Sequence, residues 1–177
     1  MLIASSGGAV SDSIEGFYDA LQEQAILTKH GFGCSGDFSG IRSRGTPIRS
    51  GGTASGVVPV IEDFRTMTRK VSQGQTRRGA TACYLDIEHG DFDELLDLVE
   101  IEPDGLNIGW NIHDTFVEKL VSGDEEAQRR FQRALYAKLV VSRGYFTFID
   151  KINRASPKMY QDKGLLVNAS NLCNHIS

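Results

Sequence analysis

Cysteine is scarce in this chain of 177 residues: Cys34, Cys83 and Cys173 stand far apart, with no Cys-X-X-Cys pair among them. An odd and widely spaced set builds neither a disulfide framework nor a zinc site, so no metal ligands are expected and a reducing cytoplasmic setting fits best. A surplus of basic residues is also missing, since 19 Lys and Arg face 23 Asp and Glu for a net charge of -4. Coating nucleic-acid phosphate needs the opposite balance, so no nucleic-acid partner is expected and any anion binding must be local. No segment approaches the roughly 18 apolar residues of a membrane span, and the opening Met1-Leu2-Ile3-Ala4 lacks the basic flank of a secretory leader. A soluble protein without a membrane partner is the expectation. A phosphate-loop fingerprint, internal repeats and low-complexity tracts are absent as well.

What is present is 40% hydrophobic content, enough for one globular domain. Residues 2–4 read as a strand stub ending in a turn at Ser5-Ser6-Gly7-Gly8. Asp12 and Glu15 have the spacing of a capping box, and Ile14, Phe17, Tyr18, Leu21 and Ala25 recur at helical spacing, predicting a helix to about Lys29. Gly31-Phe32-Gly33 then stops it; glycine there serves either a helix C-cap or the approach of a ligand to the main chain. Residues 41–56 hold Arg42, Arg44 and Arg49 among Gly, Ser, Thr and Pro47, the composition of a long loop. Three guanidiniums so close together make either an anion grip or a solvated basic loop.

Val57, Val60, Ile61, Phe64, Met67, Thr68 and Val71 mark the strongest amphipathic helix. A second glycine-bounded basic loop at 72–79 leads into the strand pattern of 80–87. Acidic-helix, strand and helix patterns follow around Leu95, Ile108 and Phe116, with Asp114 as a helix cap. A long helix through Phe131, Ala134, Leu135 and Leu139 precedes the strand at 145–149, a polar connector at 150–164, and an apolar run that carries Cys173. Strand and helix alternating in this way predict an α/β fold with a largely parallel sheet.

Several segments, in one order over nearly the whole chain, resemble the catalytic subunit of ribonucleotide reductase. Asp12-Ser13-Ile14-Glu15-Gly16-Phe17-Tyr18-Asp19 is similar to the helix start where that family binds the sugar of its allosteric effector. Gly40-Ile41-Arg42-Ser43-Arg44-Gly45-Thr46-Pro47-Ile48-Arg49 resembles its loop 1, with Arg42 and Arg49 at the positions that hold effector phosphates. Gln73-Gly74-Gln75-Thr76-Arg77-Arg78-Gly79-Ala80 resembles loop 2, the specificity loop, where Gln73 and Arg77 would pass effector identity to the substrate base. Residues 85–92 and 145–153 also read like family segments, and Asn171-Leu172-Cys173-Asn174-His175-Ile176 resembles the finger loop.

The resemblance implies the first half of a ten-stranded α/β barrel, with residues 1–177 as one truncated domain. It implies ribonucleoside-diphosphate reduction by thiyl-radical chemistry: Cys173 as the radical thiol, Asn171 hydrogen-bonding the substrate hydroxyls, Gly31 where the main chain meets the ribose. His175 stands where the family has its catalytic glutamate, and residues 1–8 lack the expected first cysteine of the reducing pair. A catalytically dead nucleotide-binding module is therefore the alternative. The Asn-Leu-Cys run is closest to class I, which implies no directly bound cofactor, a deoxynucleoside triphosphate or ATP effector, and a radical from a dimetal small subunit; adenosylcobalamin is the other source. Implied partners are the remainder of the subunit, a second copy in a homodimer, the small subunit, and thioredoxin or glutaredoxin. Cys34 and Cys83 match no catalytic cysteine and are expected to be buried packing.

Overall fold

The computed structural model describes residues 6–71, 81–102 and 107–170. Its elements run β1 (Ser6–Ala9), α1 (Ile14–Lys29), β2 (Cys34–Asp37), α2 (Val57–Val71), β3 (Thr81–Asp86), α3 (Phe92–Ile101) and β4 (Asn107–Ile112). They continue with α4 (Asp114–Ser122), α5 (Glu125–Val141), β5 (Tyr145–Phe148), α6 (Ile149–Arg154) and α7 (Lys158–Asp162). Sheet order is chain order, β1-β2-β3-β4-β5, and every neighbouring pair is parallel. This is the α/β architecture that the alternating pattern predicts.

A parallel strand covered on both faces needs apolar residues at successive positions instead of alternate ones. β3 obeys this with buried Thr81, Ala82, Cys83, Tyr84 and Leu85, and β4 with its run from Ile108 to Ile112. The core continues through the α2 stripe of Val57, Val58, Ile61, Phe64 and Met67. Phe38 meets Phe64 edge-on at 5.0 Å, and Phe92 lies against Trp110 at 4.7 Å, the offset geometry that aromatic quadrupoles favour. Cys34 and Cys83 are buried thiols, as expected of packing residues, and burial pushes Cys83 up to about 12.

Several local expectations are corrected. Residues 2–4 lie outside the described residues, and the first strand occupies Ser6–Ala9, where the glycines predicted a turn. β2, Cys-Ser-Gly-Asp, had no strand signal at all; it is held by ladders to β1 and β3, which use backbone groups and are indifferent to side-chain propensity. The cap of α1 is Ser13, whose hydroxyl accepts from Gly16 N at 3.0 Å, and not an Asp12–Glu15 box. Ile14 and Tyr18 face outward, while Phe17, Ala20, Leu21 and Ala25 pack inward beside buried Gln24 and Thr28. Asp114 is the first residue of α4 rather than its cap, which is His113. Leu135 and Leu139 are exposed on α5, whose inner face is Ala127, Phe131, Ala134 and Ala137. The expected connector at 150–164 carries α6 and α7, and Ile149 opens α6 instead of closing β5.

Gly109 on β4 lies under the ring of Tyr84: a Cβ at this position would stand 2.9 Å from Tyr84 Cζ and closer still to Cδ1 and Cε1. Tyr84 is fully buried, so its ring has nowhere to swing. Gly109→Ala is expected to destabilise the chain by about 1–3 kcal/mol through overpacking. Urea unfolding measures it, and an unchanged midpoint would contradict this packing.

Candidate functional site

One cavity of about 450 Å³ is built from three segments: the start of α1 with Asp12, Ser13 and Phe17, the loop after β2 with Arg42 and Arg49, and the start of α2 with Gly56 and Pro59. The loop is more ordered than its composition predicts. Gly45 N donates to Ala54 O at 3.0 Å, Ala54 N to Thr46 O at 2.8 Å, and Pro47 bridges Thr53 in antiparallel fashion. Gly51 and Gly52, with φ of 93° and 88°, turn its tip, a conformation that residues with a Cβ resist.

This small hairpin sorts the three arginines. Arg42 and Arg49 line the cavity, and Arg42 Nε donates to Asp12 Oδ2 at 2.5 Å. Arg44 is turned away into a two-point pair with Glu94, at 2.8 and 2.5 Å, which holds its guanidinium above the ordinary range. The structure thus brings Asp12, Ser13, Arg42 and Arg49 together. It does not bring Gly31 to them. Gly31, with φ 80°, follows α1 and precedes the amino end of β2, whereas the arginine loop leaves the carboxyl end. Gly31 N donates to Thr28 O at 2.9 Å and Phe32 N to Leu27 O at 3.1 Å, so helix closure accounts for the glycine. Gln73, Arg77, Asn171, Cys173 and His175 lie outside the described residues.

A second polar group was not anticipated from the sequence. At the carboxyl ends of the strands, His113 Nδ1 meets Asp150 Oδ1 at 2.9 Å and its Nε2 lies 3.3 Å from Asp86 Oδ2. Asp150 Oδ2 accepts from Asp114 N at 2.8 Å, and that bond, with His113, holds the Asp150 carboxyl below its ordinary value. Asp37 accepts from Ser39 N and Oγ at 3.1 and 2.6 Å and from Asn111 Nδ2 at 3.4 Å. Asn111 Nδ2 also donates to Asn168 O at 3.0 Å, and Asn153 bonds both backbone groups of Val167 at 3.0 and 2.7 Å. These bonds tie residue 167 to α6 and residue 168 to β4. The available signal was positional: in a parallel sheet, the last residue of each strand and the one after it converge on one edge. Among the described residues no cluster of His, Cys, Asp or Glu is arranged to hold a metal, and no helix is long and apolar enough to cross a membrane.

Comparison with known proteins places this architecture. The family described as ribonucleotide reductase, barrel domain, matches residues 4–129, and the chain belongs to that family. A candidate ribonucleoside-diphosphate reductase large subunit of Frog virus 3 is 29% identical over 188 residues, covering 94% of this chain and 32% of the relative. The alpha subunit of Helicobacter pylori ribonucleoside-diphosphate reductase is 41% identical over 92 residues, covering 51% of this chain and 12% of its own length. Among solved structures, the alpha subunit of the Actinobacillus ureae class Id ribonucleotide reductase superposes with a TM-score of 0.83 at 30% identity, covering 96% of this chain and 31% of that one. The chain therefore spans about a third or less of the length of these relatives.

Asp37 gives the polar edge a pH signature. Burial raises its carboxyl above the ordinary value, with Asp86 adding to the rise against the opposing hydrogen bonds from Ser39. A carboxyl raised in the fold binds its proton more tightly there than in the unfolded chain, so stability falls as pH climbs from about 3.9 through the folded value. Asp37→Asn removes that ionisation and keeps an oxygen that accepts from Ser39. Thermal melts are expected to show the variant gaining on the wild type at pH 7 relative to pH 4. An equal difference at both pH values would count against a buried, raised carboxyl.

Proposed function

We propose that this chain is the effector-binding portion of a ribonucleotide reductase catalytic subunit, and that the cavity takes a deoxynucleoside triphosphate or ATP. The observation that carries this reading is the sorting of the loop, which turns Arg42 and Arg49 into one cavity with Asp12 and sends Arg44 elsewhere. Guanidinium forks suit phosphate oxygens, and a carboxylate, having only acceptors, suits sugar hydroxyls. The exposed amino terminus of α1 adds backbone donors and a favourable dipole for an anion. Before a ligand arrives, Arg42 and Asp12 satisfy each other; a nucleotide exchanges that one bond for two. The cavity volume falls in the range usual for such ligands.

The rest of the proposal follows family membership. Residues 1–177 form the amino-terminal half of the catalytic barrel, completed by a remainder of the subunit. Cys173 is the thiyl position that removes the substrate's 3′ hydrogen, Asn171 hydrogen-bonds the substrate hydroxyls, and Gln73 and Arg77 read effector against substrate. The reduction of ribonucleoside diphosphates, the homodimer, the radical-supplying small subunit, the thioredoxin or glutaredoxin reductant and a cytoplasmic setting belong to the same reading. Replacing Arg42 or Arg49 by Ala in the assembled enzyme is expected to weaken effector affinity by about 1.5–3 kcal/mol, the range for hydrogen bonds to charged groups, with a much smaller effect on basal turnover. Calorimetric titration showing unchanged affinity in both variants would return the loop to a solvated basic surface.

A second reading, a nucleotide-binding module without catalysis, is favoured by His175 at the family's glutamate position. Neutral imidazole is a competent base near pH 7, and general-base groups contribute on the order of a hundredfold or more. If His175 is that base, ribonucleotide reduction by this chain assembled with the rest of a subunit falls as pH drops through roughly 6.5, while His175→Glu keeps its activity to lower pH. Wild-type inactivity at every pH, repaired by the glutamate, would establish the non-catalytic reading.

A further inference from the structure

We propose that Asp91, which bonds neither Arg42 nor Arg49 and does not itself line the cavity, is the residue that positions both arginines, by fastening the two ends of their loop to the β3–α3 turn. The proposal rests on reading the cavity as a nucleotide site. Asp91 is 5% exposed, and its two carboxylate oxygens are divided between two distant points of the chain. Oδ1 accepts from Arg44 N at 2.9 Å, near the loop's start, and Oδ2 accepts from Val57 N at 2.8 Å, at its end. One side chain thereby closes the loop that contains Arg49 and holds the flank of Arg42.

Neighbouring residues support the same tie. His89 Nε2 lies 2.7 Å from Ile41 O, and His89 Nδ1 lies 3.1 Å from Asp91 N. Since that backbone N–H donates to Nδ1, Nε2 carries the proton and donates to Ile41. The turn is braced in its turn by Arg130, whose Nη1 donates to Ile87 O and His89 O at 2.9 and 2.8 Å. Two glycines make room for this approach. A Cβ on Gly56 would stand 2.6 Å from Asp91 Oδ2, and a Cβ on Gly90 would stand 2.8 Å from Ser43 Cβ and nearer still to its hydroxyl. Gly56 has φ 87° besides, whereas Gly90 is required only by the contact with Ser43.

This arrangement separates positioning from contact. Truncating Arg42 removes a ligand bond, whereas releasing Asp91 leaves every ligand-facing group in place and frees it to wander. A ligand must then pay the ordering entropy of the loop on binding. The same logic gives Gly90→Ala as an independent way to lift the loop while keeping the carboxylate, and Ser43→Gly as its relief.

The test measures two quantities on the full chain assembled with the rest of its subunit: amide hydrogen exchange over residues 41–57, and affinity for dTTP by calorimetry. Asp91→Asn and Gly90→Ala are each expected to speed exchange in 41–57 while peptides of α5 stay as protected as in the wild type. Each is expected to weaken dTTP binding about tenfold, the scale of one lost hydrogen bond to a charged group. The double variant Ser43→Gly/Gly90→Ala is expected to recover both. Exchange that stays slow in 41–57, or that rises equally in α5, overturns the tie. Faster loop exchange with wild-type dTTP affinity overturns the positioning role. A wild type that takes up no dTTP overturns the nucleotide reading and this role with it, and is recognised because the exchange result on the ligand-free chain stands by itself.

Discussion

Parallel pairing in chain order is the constraint on which everything else depends. Each strand from β1 to β5 enters the sheet in the same direction, so every connection leaves from one edge and returns to the other. The departing segments therefore crowd together: Asp12 after β1, residues 38–56 after β2, 87–91 after β3, His113 after β4 and Asp150 after β5. Crowded turns carry backbone N–H groups with no ladder partner, and an ionised carboxylate is a strong acceptor for them. Four aspartates serve that need here. Asp37 accepts from Ser39, Asp86 from Glu88, Asp91 from Arg44 and Val57, and Asp150 from Asp114. The acidic residues of this edge are thus largely occupied with their own main chain.

Legibility in the sequence followed the size of the side-chain signal. α2 announced itself because Val57, Ile61, Phe64 and Met67 must all reach the core from one face, and β3 and β4 because covered parallel strands are apolar along their length. β2 was silent because Cys-Ser-Gly-Asp owes its strand to ladders on both sides, an interaction made by atoms that every residue has. Ser13 was overlooked as a cap for a related reason: Asp12 is as good a capping residue by type, but its carboxylate bonds Arg42, thirty positions away. Composition likewise left Arg42, Arg44 and Arg49 together, as an anion grip or a solvated basic loop, and only the family resemblance singled out Arg42 and Arg49. The separation of Arg44 from these two depends on Glu94, on a helix whose register against the loop no local pattern encodes.

The edge strand β5 bears on the relatives' greater length. β5 leaves Tyr145 and Phe148 partly exposed at 36% and 46%, a poor surface for a strand whose outer backbone groups have no sheet partner among the described residues. Exposed strand edges with apolar side chains pair readily with further chain. The class Id alpha subunit that superposes on 96% of this chain is about three times as long, since the match covers 31% of it. A sheet that continues past its edges accounts for both facts with one arrangement, which is why the barrel reading is preferred to an independent open sheet.

The hydrogen bonds of the polar edge also bear on how two regions of such a subunit would be connected. Ser39, which follows β2, accepts from Asp86 N at 2.8 Å, Asp37 is bonded by Asn111, and Asn111 reaches Asn168 O. The start of the arginine loop and the segment leading toward Cys173 are thereby fastened to the same strand ends. Contiguity of this kind transmits position, but a signal needs an element with two arrangements, and these part-buried bonds show a single one. The pair with an evident alternative is Arg42–Asp12, whose side chains are 42% and 28% exposed and whose partners a phosphate and a sugar hydroxyl could each replace. Surface pairs of this sort contribute little to stability, so exchanging them costs little. The frame is fixed by aspartates bonded into their turns, Asp91 the most deeply buried of them, and among the described residues the capacity to respond lies in the exposed Arg42–Asp12 pair, which a nucleotide would replace.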